Sequence, residues 1–148
     1  MNAAPWWETT APQAMSEAQW ESLCDGCGLC CLHKIDEGGG VVHYTDVACR
    51  LLDPLTARCR DYAQRETQVP GCERITPDNV AQLHWLPPTC AYRLIAAGQP
   101  LPDWHPLICG DARRVHGAIR TVIGRVVEER RVRRKDMVHR IVQWWPRA

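Results

Sequence analysis

The sequence contains no phenylalanine and no long apolar segment, and both absences limit what the chain can be. Seven tryptophans among 148 residues must supply most of the aromatic core instead. Because no run of about 20 apolar residues occurs, a membrane-spanning helix is excluded. The formal net charge of +1 gives no electrostatic case for nucleic acid as the main partner. The chain also lacks a Ser-His-Asp arrangement and a phosphate loop, so no recognisable catalytic constellation defines an enzyme.

The first ten residues lack the features of an export signal. They contain no basic segment, and Pro5 and Glu8 interrupt any apolar run. The nine cysteines are an odd number, so disulfide pairing in an oxidising compartment would leave one thiol over. We therefore expect a cytoplasmic protein whose cysteines serve metal or redox chemistry, with a disulfide framework as the weaker alternative.

Four cysteines are concentrated in residues 24–31 (CDGCGLCC). Cysteines three residues apart around a tight turn can direct their sulfurs toward one point, as in a zinc knuckle. Gly26 and Gly28 tolerate positive φ and leave backbone N–H groups free to face the sulfurs. The stretch therefore predicts a metal-binding turn. Adjacent side chains diverge in a non-helical backbone, so we expect Cys30 and Cys31 to serve two centres, or one of them to be a supporting or exchangeable thiol.

Five more cysteines follow at wide and irregular spacings: Cys49, Cys59, Cys72, Cys90 and Cys109. The pattern is not that of a simple zinc ribbon, so spacing alone does not fix the metal. Eight cysteines lie between residues 24 and 90, the number needed for two four-thiolate sites or for one iron–sulfur cluster plus a structural zinc. Arg50, Arg58 and Arg60 lie beside these cysteines. They either offset thiolate charge or form a solvated face, and the sequence favours neither interpretation.

Helix signals occur at three places. Residues 16–19 form a capping-box pattern that opens a short helix. Residues 76–84 begin with the threonine and proline signals of a second helix. Thr89 is expected to cap a third helix over residues 90–97, which places Cys90 at a helix N-terminus, where the dipole favours a thiolate.

Strand signals lie between the cysteines. Residues 32–37 and 41–45 flank three glycines and predict a hairpin. This hairpin carries His33 and His43, each a candidate fourth ligand, although a histidine in a strand is more often hydrogen-bonded. A turn at residues 53–56 predicts a second small hairpin that carries two of the distal cysteines.

The C-terminal part gives weaker signals. Residues 119–127 are β-rich and predict a strand, whereas residues 137–145 have helical apolar spacing that a strand would also permit. Residues 128–135 (EERRVRRK) are a charged run that either contacts an acidic partner or forms a solvated connector.

We expect one α+β domain over residues 1–148, small, loop-rich and metal-stabilised, with short hairpins and short helices. Residues 1–14 are expected to be an extended N-terminal segment, and residues 128–148 a C-terminal extension. Three polar residues in a turn-rich stretch, His105, Asp111 and His116, are candidates for lining a substrate pocket. The alternative is that they stabilise the loops.

Several stretches together resemble one known group of proteins. They are CDGCGLCCLHK (24–34), VACRLLD (47–53), RCRDYAQR (58–65), Pro70-Gly71-Cys72, WLPPTCAYRL (85–94), WHPL (104–107), GD (110–111) and VH (115–116). In this order they resemble the YcgN-like bacterial cysteine-cluster family, part of the wider CxxCxxCC group described as zinc- or iron-chelating domains. The resemblance covers almost the whole chain.

The resemblance implies a set of metal ligands: Cys24, Cys27, Cys30, Cys31, Cys49, Cys59, Cys72 and Cys90. Cys109 falls where the family has a small residue other than cysteine, so it is outside the set. The charged run at residues 128–135 is more basic than the family pattern. The wider group shares its motif with a flagellin lysine methylase, which implies iron–sulfur-dependent modification chemistry as an alternative.

Two functions therefore compete. The first is a metal-binding protein that holds zinc or iron, with a protein partner and without a membrane or nucleic-acid role. The alternative is an iron–sulfur-dependent enzyme or electron carrier. A weaker third hypothesis is a thiol-redox sensor that uses Cys30 and Cys31.

Overall fold

The computed structural model describes residues 4–69, 72, 74–118 and 121–145. Contacts divide the chain into two compact units. The first unit comprises Met1–Asp25 and Ile75–Arg114, and the second comprises Gly26–Arg74 and Val115–Ala148. A three-stranded sheet and several short helices confirm the mixed α+β class. That residues 1–148 form a single domain stays a prediction.

All the described elements are short. The α-helices are α1 (Trp6–Thr9), α2 (Glu17–Glu21), α3 (Arg65–Gln68), α4 (Ala91–Ala96), α5 (Pro106–Cys109) and α6 (Val115–Ala118). The strands are β1 (Leu32–Gly38), β2 (Val41–Ala48) and β3 (Val127–Glu128). Turns of 3-10 helix cover Pro12–Ala14, Leu29–Cys31, Val80–Gln82, Glu129–Arg131 and Arg134–Arg140. Residues 1–14 were expected to be extended, but their described part contains α1 and a 3-10 turn. No described helix combines the length and the apolar character needed to cross a membrane.

The first unit begins with the predicted capping box. The Ser16 hydroxyl accepts from the Gln19 N–H at 3.1 Å, and the Gln19 side chain accepts from the Ser16 N–H at 3.0 Å. Helix α2 then buries Trp20, whose indole N–H donates to the Ile75 carbonyl at 2.9 Å. The core of this unit consists of Trp20, Leu23, Val80, Leu83, Leu86, Ala91, Tyr92 and Leu101.

The prediction of a helix over residues 76–84 is wrong. Thr76 and Asn79 do exchange capping hydrogen bonds, but only a 3-10 turn at Val80–Gln82 follows. The reason is the spacing of the core residues. Val80, Leu83 and Leu86 are three residues apart and all buried, and successive i→i+3 hydrogen bonds link them. Residues three apart eclipse one another in a 3-10 turn, whereas in an α-helix each would be offset from the last by about 60°, so Val80 and Leu86 would face about 120° apart.

Helix α4 begins one residue later than expected. Cys90 occupies the N-cap position, and the helix runs from Ala91 to Ala96. The Thr89 hydroxyl, expected as the cap, is buried without a hydrogen-bond partner in the part of the chain that the structure describes. Thus Cys90 does lie at a helix start, but Thr89 does not cap it.

The second unit is built on the predicted hairpin. β1 and β2 pair antiparallel, with Ile35 opposite His43, and β3 adds to β2 in parallel at Val47. The second hairpin is reduced to a single antiparallel bridge between Leu52 and Cys59. The core under the sheet consists of Leu29, Leu32, Tyr44, Ala48, Leu52, Ala57, Val122 and Trp144.

The strand expected over residues 119–127 is largely wrong. Residues 119 and 120 lie outside the described residues, and only Val127 joins the sheet, as the first residue of β3. The reason is that Val122 is fully buried and Gly124 turns the chain, with φ of +73° and its N–H donating to the Pro54 carbonyl at 3.3 Å. Further along, a 3-10 helix precedes an antiparallel bridge from Ile141 to Thr45.

Candidate metal centre

The two glycines of the cysteine motif adopt the predicted conformation. Gly26 and Gly28 have φ of +77° and +78°. A side chain at Gly28 would also meet Val122 Cγ2 at 2.9 Å and the Ala57 carbonyl at 3.1 Å. Both backbone conformation and space therefore require glycine at this position.

The adjacent cysteines of the motif interact rather than diverge. They lie in the 3-10 turn Leu29–Cys31, with Cys30 exposed and Cys31 half-buried. A hydrogen bond with the Cys30 side chain, together with burial and repulsion by Cys30, Cys49 and Cys59, raises the pKa of the Cys31 thiol far above its usual range. The backbone at these two residues is a 3-10 turn and not the non-helical backbone for which divergence was expected. The division of Cys30 and Cys31 between two centres stays a prediction, while Cys30, Cys49 and Cys59 lie close enough for their charges to act on the pKa of Cys31.

One distal segment is joined to the motif by a backbone hydrogen bond. The Cys49 N–H donates to the Cys31 carbonyl at 2.8 Å, which joins the end of β2 to the motif. Burial, and then repulsion from Glu129 and Cys59, raises the pKa of Cys49. Burial also raises the pKa of Cys72, with repulsion from Cys30, Cys49 and Cys59. These thiols disfavour one another's ionisation, so a bound cation would favour the thiolate forms.

Lys34 supplies a cation within this group of thiols. Its ammonium donates to the carbonyls of Cys30 at 2.8 Å and Leu32 at 2.7 Å, and it lies 5.0 Å from the centre of the Tyr44 ring. Burial lowers the pKa of Lys34, while thiolates at Cys30, Cys31, Cys49 and Cys72 would raise it. A partly buried ammonium in this position stabilises thiolates and fixes the backbone of the motif.

A second cation lies near Cys72. Arg65 is only 7% exposed, donates to the Tyr62 carbonyl at 2.6 Å and stacks 3.7 Å over the Tyr62 ring. Its charge opposes the burial effect and lowers the pKa of Cys72. Stacking on the Tyr62 ring holds the guanidinium in one position, where its charge offsets that of a thiolate at Cys72.

Within the described residues, no three Cys, His, Asp or Glu side chains have the geometry of a formed metal site. The second unit contains six predicted ligands: Cys27, Cys30, Cys31, Cys49, Cys59 and Cys72. A cysteine side chain has one heavy-atom torsion, so a change of rotamer moves the sulfur while the backbone stays in place. The grouped thiols and the two cations fit a soft, thiophilic metal, because such metals prefer thiolate ligands.

The other two predicted ligands lie in the first unit. Cys24 is exposed and follows α2, where its N–H donates to the Glu21 carbonyl at 3.3 Å. Cys90 is half-buried at the start of α4. Cys109, which was left outside the ligand set, is also in this unit, and its sulfur lies 3.4 Å from the Trp104 carbonyl and from the Asp111 N–H.

The histidines and the aspartate proposed for other roles have local partners. His105 is fully buried; its Nε2 lies 2.7 Å from the Leu23 carbonyl, and its Nδ1 accepts from the Leu107 N–H at the start of α5. Asp111 pairs with Arg113. In the second unit, His116 contacts the Thr121 hydroxyl at 2.9 Å. The hairpin histidines also pair, His33 with Glu129 at 2.5 Å and His43 with Glu37 at 3.2 Å.

Sequence reasoning missed three residues of this site. Lys34 and Arg65 lie within two of the motifs quoted above, but no role beside the thiols was predicted for them. Ala57 has φ of +62° and lies against Gly28, although nothing in its residue type indicates a left-handed conformation. Such a conformation costs roughly 1–3 kcal/mol for a residue other than glycine, so the surrounding structure must enforce it.

Fold and site together define a small cysteine-rich α+β protein. Over 139 residues the chain is 50% identical to a UPF0260 protein of Azotobacter vinelandii, with 93% of each chain covered. It is 53% identical to one of Rhizorhabdus wittichii, with 93% of this chain and 94% of the relative covered. A Gluconobacter oxydans relative is 54% identical over 129 residues, or 86% of this chain and 79% of its own. The chain therefore belongs to the UPF0260 family.

No protein-family model matches the chain. No solved structure matches it either.

Proposed function

We propose that this UPF0260 protein is a cysteine-cluster protein of the YcgN-like kind that binds zinc or iron through thiolates. The observation that carries the proposal is the backbone hydrogen bond from the Cys49 N–H to the Cys31 carbonyl at 2.8 Å, which brings a distal cysteine to the motif. Sulfurs that repel one another as thiolates are stabilised when a metal neutralises them. The resemblance adds Cys24, Cys27, Cys72 and Cys90 to the ligand set.

Lys34 and Arg65, the two cations beside the thiols, favour a metal centre that carries net negative charge. A divalent ion held by four thiolates carries a formal charge of −2, so nearby cations stabilise it. Lys34 and Arg65 occupy such positions beside the thiols. When bound, zinc would cross-link the loop-rich second unit, whereas an iron–sulfur cluster would add electron transfer.

Anaerobic purification followed by elemental analysis, sulfide assay and a visible spectrum tests the proposal. We expect a stoichiometric amount of zinc or iron. Zinc without colour favours a metal-binding protein, and iron with acid-labile sulfide favours the iron–sulfur enzyme or electron carrier. A folded protein that contains neither metal, and that takes up neither in competition with a chelator of known affinity, would overturn the proposal.

A further inference from the structure

A pocket in the second unit adjoins the segments that carry Cys49 and Cys59. Its volume is about 360 Å³, which is within the range of small-molecule sites. The residues that line it are Arg50, Leu51, Arg60, Glu128, Glu129 and Arg130. Three of these six are arginines, whereas the metal proposal uses none of the six.

Hydrogen bonds donated by backbone N–H groups hold together the segments that line the pocket. The Arg60 N–H donates to the Leu51 carbonyl at 2.6 Å, next to the bridge between Leu52 and Cys59. The Arg50 N–H donates to Glu129 Oε1 at 3.2 Å, which ties this segment to the wall that follows β3. Arg50 and Arg60 therefore project from two segments whose relative position is fixed.

The acidic side chains of the pocket have contacts of their own. Glu128 accepts from the Arg130 Nε at 3.1 Å. Glu129 uses one oxygen for His33 and the other for the Arg50 N–H. Three arginines against two glutamates still leave the lining of the pocket with a formal net charge of +1, which favours an anion.

Arg50 and Arg60 remain without a carboxylate partner among the described residues. The Arg50 guanidinium donates to the neutral Gln68 carbonyl, and both side chains are exposed. Leu51, by contrast, is 8% exposed and gives the pocket an apolar wall. The pocket thus combines two guanidinium groups that lack a carboxylate partner among the described residues with an apolar surface.

We propose that this pocket binds a small molecule that carries a carboxylate or phosphate group on a compact apolar body. A guanidinium presents paired N–H donors in the geometry of a carboxylate or phosphate, and the bidentate pair is stronger than a single neutral hydrogen bond. Leu51 would contact the body of the ligand. Because Cys49 and Cys59 directly precede the two arginines, the bound anion would lie beside thiols of the proposed metal centre.

The inference goes beyond metal binding and does not rest on it. The experiment is isothermal titration calorimetry of the full chain, at measured metal content, with inorganic phosphate in one arm and succinate in the other. Sodium chloride holds the ionic strength constant, because exposed charges are screened by salt. We expect saturable binding of at least one anion, and the two arms identify which acidic group the pocket prefers.

Arg60→Gln removes the guanidinium without introducing charge of the opposite sign, and we expect it to weaken binding by about tenfold or more. The matched control is Arg134→Gln, an exposed arginine outside the pocket, for which we expect a change below about twofold. Arg60→Lys keeps the charge but loses the paired donors, so it should bind more weakly than the native chain. It also provides the test if Arg60→Gln does not fold.

Three results would overturn the proposal: no saturable binding of either anion, native affinity in both Arg60 variants, or an equal loss in Arg134→Gln. The last would indicate general charge attraction. The metal content of each variant is also measured, so that failure of the pocket proposal is distinguished from failure of the metal proposal. Loss of anion binding at native metal content supports the pocket, while anion binding by a metal-free chain supports the pocket and counts against the centre.

Discussion

His105 in the first unit is fully buried and Lys34 in the second is half-buried, and the surroundings of these two polar residues differ. His105 has its two ring nitrogens bonded to backbone groups, so it joins two segments and caps a helix. Lys34 caps backbone carbonyls too, but four thiols act on its charge. His105 thus completes the fold of the first unit, whereas Lys34 places a charge beside the reactive groups of the second.

The same difference extends to the two cores. The first unit packs tryptophan, tyrosine and leucine side chains into one cluster. In the second unit the core cluster is bordered by two half-buried cysteines, Cys27 and Cys31, and in the first by one, Cys90. Apolar packing stabilises both cores directly, whereas neighbouring thiols destabilise an unmetallated site when they ionise. Because the second unit holds six of the eight predicted ligands, we expect its stability to depend more on metal and that of the first unit more on packing.

Removing one thiol gives the strongest test of this contrast. We expect Cys31→Ser to lose bound metal and to unfold the second unit, because a structural zinc contributes roughly 10 kcal/mol or more of apparent stability. Cys109→Ser, a cysteine outside the ligand set, should keep the native metal content. Elemental analysis and far-UV circular dichroism measure both effects. Equal metal retention in the two variants would contradict the contrast.

A cavity in the first core should have a smaller effect, without loss of metal. Leu86 is 2% exposed, and Leu86→Ala should lower the free energy of unfolding by about 2–5 kcal/mol. Ile108→Ala, at a side chain 47% exposed in the same unit, should change it by less than about 0.5 kcal/mol. Urea denaturation provides the free energies, and elemental analysis the metal content. If Leu86→Ala stripped the metal while remaining folded, the division of roles between the units would be wrong.

The smallest effect is expected for the half-buried ammonium of Lys34, and it tests what this cation contributes to the site. Lys34→Gln removes the cation beside the thiols, and we expect metal affinity to fall by about tenfold, as for residues that support metal ligands. Lys135→Gln changes the only other lysine of the chain, which is exposed, and should leave affinity unchanged. Competition with a chromophoric chelator at fixed pH measures both. The same affinity in the two variants would show that Lys34 only supports the backbone.

Sequence patterns a few residues long correctly predicted the elements whose hydrogen bonds join residues close together in the sequence. The capping box at residues 16–19 and the hairpin around residues 38–40 formed as expected, because each depends on residues a few positions apart. The helix over residues 76–84 failed, since the packing of Val80, Leu83 and Leu86 overrode helix propensity. The strand over residues 119–127 failed because Val122 packs into the core instead of extending the sheet.

The candidate site was predictable only in part. The sequence indicated which cysteines are available, but spacing could not show that Cys31 is grouped with Cys49 and Cys59. The hydrogen bonds of Lys34 and Arg65 are local, but their burial and the distal thiols that act on Lys34 depend on tertiary structure, which no local pattern encodes. For the arginines beside Cys49 and Cys59, the sequence could not show that Arg50 and Arg60 lack a carboxylate ion-pair partner among the described residues while Glu128 pairs with Arg130.

The close approach of Val122 and Ala57 to Gly28 has a consequence for biosynthesis. The cysteine motif is synthesised well before Val122, so this packing contact forms only when the intervening chain is present. Until then the motif lacks one of the residues that pack against it, and we expect its half-buried thiols, Cys27 and Cys31, to be more accessible. Under the proposed function, we expect metal loading to follow release of the finished chain. Alkylation of stalled nascent chains would show this as Cys27 and Cys31 reacting faster before Val122 emerges than afterwards, while the exposed Cys24 and Cys30 react at both stages.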